Sequence, residues 1–244
     1  MTAALLAAAA VIVLDVYAVV LVLLRAKVYR VALYRPMLLN IGLSTLPVVT
    51  AVGVVVGFTV LAPVFALLAD VAPDAGVVVL PIYLALATGV WLLLFPNSVY
   101  LITELNFSHR SADTPVPLWY DIIQTLVLTL SGLGNAILSL GILHALFVVY
   151  EEPNDGVPPT AGWVLAGVVI VLGAVGVYLG RYLRVNSWDV RHPASLLRKL
   201  AAHLRQPGKA LEASAFVVTH ALLVAVLYVP LFSLTWASFV ATAV

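Results

Sequence analysis

The chain of 244 residues contains no cysteine and few charged side chains. The absence of cysteine excludes disulfide bonds, thiolate catalysis, and zinc or iron–sulfur sites with cysteine ligands. Only 9% of the residues are charged and 64% are hydrophobic, whereas ordinary globular proteins have about 25% and about 45–50%. A soluble fold of this length could not bury so much apolar surface. The composition therefore indicates a membrane protein.

The charged residues lie between long runs that carry no charge, at 36–69, 75–103, 122–150, 156–180 and 213–244. About 20 helical residues cross the roughly 30 Å hydrocarbon core, so each run is long enough to span a bilayer. Run 36–69 is too short for two antiparallel crossings and a turn, so it holds one span. The apolar N-terminal segment is followed, not preceded, by positive charges, so we expect a retained span instead of a signal peptide.

These runs predict an all-α fold, a polytopic transmembrane helical bundle of about six spans forming a single domain over 1–244. The predicted spans are 3–24, 38–62, 78–103, 120–149, 161–181 and 213–241. Pro47 should kink the second span, and Pro63 should break its far end.

The distribution of lysine and arginine predicts the orientation of the bundle. Loops 25–35 and 181–212 hold four and seven positive residues, whereas the second and fourth loops hold acidic residues and no positive one. Cytoplasmic loops are enriched in lysine and arginine. We therefore expect a multi-pass protein of the cell membrane, with loops one, three and five in the cytoplasm and both termini outside.

The fifth loop contains the pattern of a short amphipathic helix at 193–205. Leu196, Leu197, Leu200 and Leu204 recur at helical spacing, and basic residues occupy other positions around the turn. We expect this helix to lie on the anionic lipids of the inner leaflet; docking of a protein partner is the alternative. The positive-inside rule already accounts for the basic cluster, so we predict no nucleic-acid partner.

Polar side chains inside the spans are expected to have a structural or functional role, because their desolvation is costly. Asp15 lies roughly 15 Å from the inner end of the first span, and His220 lies roughly 10 Å into the last. The two could meet as an intramembrane pair that relays protons or binds a ligand; a neutral Asp15 bonded to a neighbouring helix is the alternative. Asn135 is expected to bridge packed helices, and His144 is expected at the outer interface.

The inner ends of spans three, four and five carry a denser set of polar residues. Pro96 should bend the third span, and all three ends reach the same membrane surface in the predicted topology. We therefore expect a cytoplasm-facing pocket; interfacial anchoring of its aromatic and basic residues is the alternative. Its candidate ligand-binding residues are Asn97, Tyr100, Arg181, Arg184, Asn186, Trp188 and Asp189, and its candidate catalytic residues are Glu104, Asp121 and His109.

Three stretches, FPNSVYLITE, PLWYD followed by SGLGNAILSL, and GRYLRVNSWD, resemble the signature blocks of a family of prokaryotic integral membrane proteins, domain of unknown function 1361 (DUF1361). The family pattern ends in Gly-Arg-x-x-Arg-x-Asn-Ser-Trp-Asp, which 180–189 matches in full. Two departures occur: Glu104 stands where the family has aspartate, and Phe107 stands where it has histidine, with His109 two residues later. The resemblance implies the architecture and the choice of residues, but no activity.

Three functions remain open, and the sequence leaves undecided whether the protein is an enzyme. In an enzyme or binding protein, Arg181 and Arg184 would clamp an anionic headgroup or phosphate. Glu104 and Asp121 would then act as acid and base or hold a divalent cation; no other cofactor or metal is expected. A small transporter would need more polar residues through the core than the spans supply. A scaffold component would dock a partner on 193–205.

The predicted orientation can be tested with a reporter fused directly after Trp188. We expect its signal to come from the cytoplasm, because this position lies in the loop with the most positive charge. A second fusion within the acidic loop 151–155 is the control and should report from the exterior. An exterior signal from the fusion after Trp188 would contradict the predicted topology.

Overall fold

The structure, a computed structural model, describes residues 2–104, 115–151, 156–183 and 192–243. It is about 90% helical, and the described residues contain no strand. The helices, in chain order, are α1 Thr2–Tyr29, α2 Arg35–Val71, α3 Pro73–Leu94, α4 Pro96–Tyr100, α5 Leu118–Tyr150, α6 Thr160–Tyr178, α7 Pro193–Leu204 and α8 Lys209–Ala243. A 3₁₀ turn, Leu101–Glu104, continues α4, and a π turn, Leu179–Leu183, continues α6.

Six of these segments are long and apolar enough to cross a membrane. They are Ala3–Tyr29, Arg35–Val71, Val78–Thr103, Leu118–Tyr150, Thr160–Leu183 and Lys209–Ala241. Each contains one of the predicted spans entirely, so the prediction of a six-span helical bundle is confirmed. The third span has the predicted bounds, and the other five extend beyond their predicted ends.

The two prolines of the second span lie inside one continuous helix. Pro47 and Pro63 both lie within α2, which runs to Val71. The prediction that Pro63 breaks the helix was therefore wrong. A proline removes one backbone hydrogen bond, and spanning helices tolerate this loss where neighbouring helices or side chains compensate for it.

The third span is interrupted next to Pro96, where a bend was expected. Helix α3 ends at Leu94, and α4 begins at Pro96. Proline suits the first position of a helix, because a backbone N–H at that position would have no partner within the helix. The short α4 then inserts between α2, α5 and α6 as a wedge, which we define as residues 95–101. Phe95, Val99 and Leu101 within it are fully buried.

Glycines on the neighbouring helices make room for this wedge. A Cβ atom on Gly132 of α5 would lie 2.5 Å from the carbonyl oxygen of Ser98, and one on Gly173 of α6 would lie 2.6 Å from the ring of Phe95. A Cβ atom on Gly176 would overlap the ring of Pro96. Small residues therefore permit the close approach of α4 to both helices.

The predicted amphipathic helix is also confirmed, as α7. The phenol oxygen of Tyr178, at the end of α6, lies 2.8 Å from Nε2 of His203 on α7. The ring of Tyr178 also stacks on that of Tyr182 at 4.7 Å and meets Phe216 of α8 edge-on. The contact of Tyr178 with His203 holds α7 against the end of α6, and the ring contacts join that end to α8.

Replacing Gly176 with alanine should destabilise the bundle by about 1–3 kcal/mol, because the new methyl group would overlap the rigid proline ring of the wedge. Gly167→Ala, on the same helix, is the matched control, since nothing lies within 4 Å of a Cβ atom there. Thermal unfolding in detergent measures both. Equal unfolding midpoints for the two variants would contradict the proposed role of Gly176.

Candidate functional site

The intramembrane carboxylate predicted at Asp15 is bound by two side chains of the central helix α5. Ser131 Oγ and Asn135 Nδ2 both donate to Oδ1 of Asp15, the second at 2.9 Å. Asn135 is 1% exposed and Ser131 is fully buried. The carboxylate therefore connects α1 to α5 inside the bundle. This contact agrees with the alternative expectation, in which Asp15 is bonded to a neighbouring helix.

The same asparagine extends the connection to α2 and the wedge. Asn135 Nδ2 also lies 3.1 Å from Oγ of Ser44, and Ser98 Oγ donates to the carbonyl oxygen of Ser44 at 2.6 Å. Four segments, α1, α2, α4 and α5, thus share one buried hydrogen-bond network. The prediction that Asn135 bridges packed helices is consistent with these bonds. We call Asp15, Ser44, Ser98, Ser131 and Asn135 the central network.

A second polar contact between α1 and α5 lies nearer one end of the bundle. Nε of Arg25 is 3.0 Å from Oδ1 of Asp121, and the side chains are only 26% and 13% exposed. One turn back on α1, the carbonyl oxygen of Leu21 accepts a hydrogen bond from the phenol of Tyr120 at 2.8 Å. Because the pair is half-buried, loss of either partner would leave a poorly solvated charge.

The predicted pocket residues meet only in part within the described residues. The wedge and its 3₁₀ turn contact α5 and α6, and their close approach to α5 at Gly132 lies near the middle of that helix. Tyr100 lies 3.9 Å from the position of a Cβ atom on Gly180, directly before Arg181. Asn97, Tyr100 and Arg181 are half-buried.

The other predicted pocket residues cannot be placed. Arg184, Asn186, Trp188, Asp189 and His109 lie outside the described residues, and so does the side chain of Glu104. Among the described residues, no three His, Asp or Glu side chains lie close enough to hold a metal ion.

The two histidines inside the spans, His144 and His220, have surroundings that differ from those that the sequence suggested. His220 stacks on Phe216 of its own helix at 3.7 Å, and its Nδ1 lies 2.9 Å from the carbonyl oxygen of Phe216, whereas Asp15 is bonded to α5. The side chain of His144, which was expected at the outer interface, is 1% exposed and thus buried within the bundle. Its ring stacks on Phe232 at 4.0 Å, and its Nδ1 lies 2.8 Å from the phenol of Tyr228.

Sequence reasoning missed several residues that the fold brings together. Ser44, Ser98 and Ser131 of the central network were not singled out, because serine is common in spans and its spacing carries no signal. Arg25 was considered only as one of the positive loop residues that predict the orientation of the bundle. The one available clue was Gly132, which precedes Asn135 by three residues. The two residues mark one face of α5, and a small residue on such a face permits the close approach of another segment.

The comparisons with known proteins give one match. Residues 58–229 match the model of a family described as protein of unknown function (DUF1361). The chain belongs to this family. The search of the curated proteins and the search of the solved structures found no match. The DUF1361 match covers the wedge, α5 and α6, but α1 and residues 35–57 of α2 precede it. Asp15, Arg25 and Ser44 therefore contribute to the polar contacts from outside the matched region.

The central network predicts a stability effect that depends on shared bonds. Ser131→Ala and Asn135→Ala should each destabilise the bundle by about 1–3 kcal/mol, because each removes a donor to the half-buried carboxylate of Asp15. The loss of unfolding free energy in the double variant should differ from the sum of the two single losses, since both bonds share one acceptor. Denaturant unfolding in micelles measures the three variants.

Ser233→Ala is the matched control for this series. Its hydroxyl is exposed and donates only to the carbonyl oxygen of Val229, one turn back in its own helix. We expect less than about 0.5 kcal/mol for this change. If Asn135→Ala is no more destabilising than Ser233→Ala, the central network does not stabilise the bundle.

Proposed function

We propose that this protein of the cell membrane binds an anionic headgroup or a phosphate-bearing ligand in a polar pocket at the basic, cytoplasmic end of the bundle. The observation that supports the proposal is the position of the wedge, which contacts both α5 and α6 and places Tyr100 beside Gly180, directly before Arg181. The ends of the third, fourth and fifth spans carry the acidic, basic and amide side chains that such a ligand would need.

Charge and depth support a ligand of this chemistry. Arg181 follows the last turn of α6 and is half-buried beside the wedge. A guanidinium binds carboxylate and phosphate oxygens through two parallel hydrogen bonds. The end of a span lies at the level of the lipid headgroups, where anionic oxygens are available. Arg184, three residues further along the chain, completes the proposed clamp.

The acidic residues have separate roles in this proposal. Asp121 is paired with Arg25, so it orients that arginine toward the pocket and becomes available as a base when the ligand attracts the guanidinium. Glu104 and His109 are the proposed proton donors or acceptors, and a divalent cation held by Glu104 and Asp121 would neutralise a phosphate. Asn97, Tyr100, Asn186, Trp188 and Asp189 would complete the polar wall.

The anionic ligand can be tested by native mass spectrometry with two lipids, phosphatidylglycerol and phosphatidylcholine. The wild type should retain phosphatidylglycerol preferentially, and Arg181→Ala with Arg184→Ala should lower its retention at least about tenfold, because charge-assisted hydrogen bonds are lost. Competition by inorganic phosphate separates recognition of a phosphate group from recognition of a complete lipid.

Arg35→Ala is the matched control, because Arg35 is an exposed arginine at the start of α2, away from the wedge. This variant should retain the lipid as the wild type does. Equal losses in the control and in the double variant would indicate a general effect of charge and would contradict the pocket. A wild type without preference between the two lipids, and without phosphate binding, would also contradict it.

A further inference from the structure

Asp15 brings an ionisable side chain to the middle of the bundle. It lies close to the centre of the span Ala3–Tyr29, and its partners Ser131 and Asn135 lie close to the centre of Leu118–Tyr150. Ionisable residues at this depth are costly, and in membrane proteins they commonly mark a site or a path for an ion. The carboxyl group is therefore a candidate for a function besides the connection of two helices.

This position is separate from the proposed headgroup pocket. Ser131 follows Asp121 on α5 by 10 positions, which corresponds to roughly 15 Å along the helix. A headgroup bound at the basic end therefore lies too far from Asp15 to compensate its charge. Any function of Asp15 is independent of that pocket.

The two oxygens of the Asp15 carboxyl group have different surroundings. Oδ1 accepts hydrogen bonds from both Ser131 and Asn135. Oδ2 accepts none within the described residues, and it keeps accessible surface. The side chain as a whole is half-buried. One oxygen is thus bonded by the protein, and the other is open to a ligand.

The two donors to Oδ1 are neutral, so they do not cancel the charge of a carboxylate. Asp15 forms no ion pair within the described part of the chain. The next cationic residue along α1 is Arg25, which is paired with Asp121. Tyr17 lies two positions after Asp15 and therefore on a different face of α1. The first helix itself provides no compensating charge.

The helices that pack against α1 provide none either. These helices are α2, α5 and α8. On α2 and α5, Arg35, Asp121 and His144 are at least nine positions from the central network, or roughly 13 Å. Within the span of α8, His220 is bonded to a carbonyl oxygen of its own helix and Tyr228 to His144.

We propose that Oδ2 of Asp15 is a proton-binding site in the middle of the bundle, which takes up and releases a proton while Oδ1 keeps both bonds to α5. A protonated carboxyl group has one oxygen that accepts hydrogen bonds and one that carries the proton. The surroundings of Oδ1 and Oδ2 have this asymmetry. The bound proton also removes the charge that no described side chain compensates.

Release of the proton depends on the same two donors. When Asp15 is charged, the bonds from Ser131 and Asn135 become charge-assisted and therefore stronger. They stabilise the carboxylate, so the charged state can be reached and the site can exchange its proton. A metal ion would need several oxygen ligands, whereas a proton needs only this one oxygen.

The test uses dicyclohexylcarbodiimide, a lipid-soluble reagent for protonated carboxyl groups, added to the full-length protein in liposomes. The carboxyl proton passes to a nitrogen of the reagent, the carboxyl oxygen bonds to its central carbon, and rearrangement leaves an N-acylurea that contains the whole reagent. Peptide mass spectrometry should find this addition at Asp15. Its rate should fall at least about tenfold from about pH 6 to about pH 9, because only the protonated form reacts.

Two controls accompany this measurement. Asp15→Asn keeps the shape of the side chain and removes the proton site, so it should abolish labelling of the α1 peptide. Asp121 is the internal control, because its ion pair with Arg25 requires the charged form. At the lower pH it should be labelled at least about fivefold less than Asp15. Exchange of choline chloride for sodium chloride should leave the rate at Asp15 unchanged.

Three results would overturn the proposal. Absence of labelling at Asp15 at about pH 6 would show a carboxylate that only joins α1 to α5. Equal labelling rates at both pH values would show a proton that never leaves. Slower labelling in sodium chloride than in choline chloride would assign the site to a sodium ion instead of a proton. The pH series and the salt comparison use only the wild type, so they decide the question even if Asp15→Asn fails to fold.

Discussion

The structure depends on the requirement that a polar group inside an apolar bundle must find its partner within the protein. The amide of Asn135 meets this requirement by donating to both Asp15 and Ser44, two residues on different helices. Ser98 then connects the wedge to Ser44. Since hydrocarbon offers no competing hydrogen bonds, these contacts favour one arrangement of α1, α2 and α4 around α5.

The wedge is the second constraint, and it links packing to the proposed pocket. Its entry into the bundle needs glycine at 132, 173 and 176, because larger side chains would overlap its backbone or rings. Once inserted, it leaves Tyr100 next to the end of α6 and the 3₁₀ turn next to α5. The close packing at the centre of the bundle therefore also places Tyr100 beside the end of α6.

The charged pair of Arg25 and Asp121 is a further polar connection between α1 and α5. Its side chains are only 26% and 13% exposed, so each charge depends on the other for most of its compensation. The pair therefore adds to the contacts that hold α1 against the central helix.

The sequence by itself determined the six spans, the helix interruption next to Pro96 and the amphipathic helix, because hydropathy, proline and helical periodicity act over short stretches of chain. It also identified Asp15 and Asn135 as residues that need partners, but it could not name Ser131 and Ser44 as those partners. Only the tertiary structure decided that Arg25 meets Asp121, that Pro63 stays within a helix, and that His144 lies buried against Phe232. These outcomes depend on which helix faces which, and that choice is made by contacts between residues far apart in the chain, which no local pattern encodes.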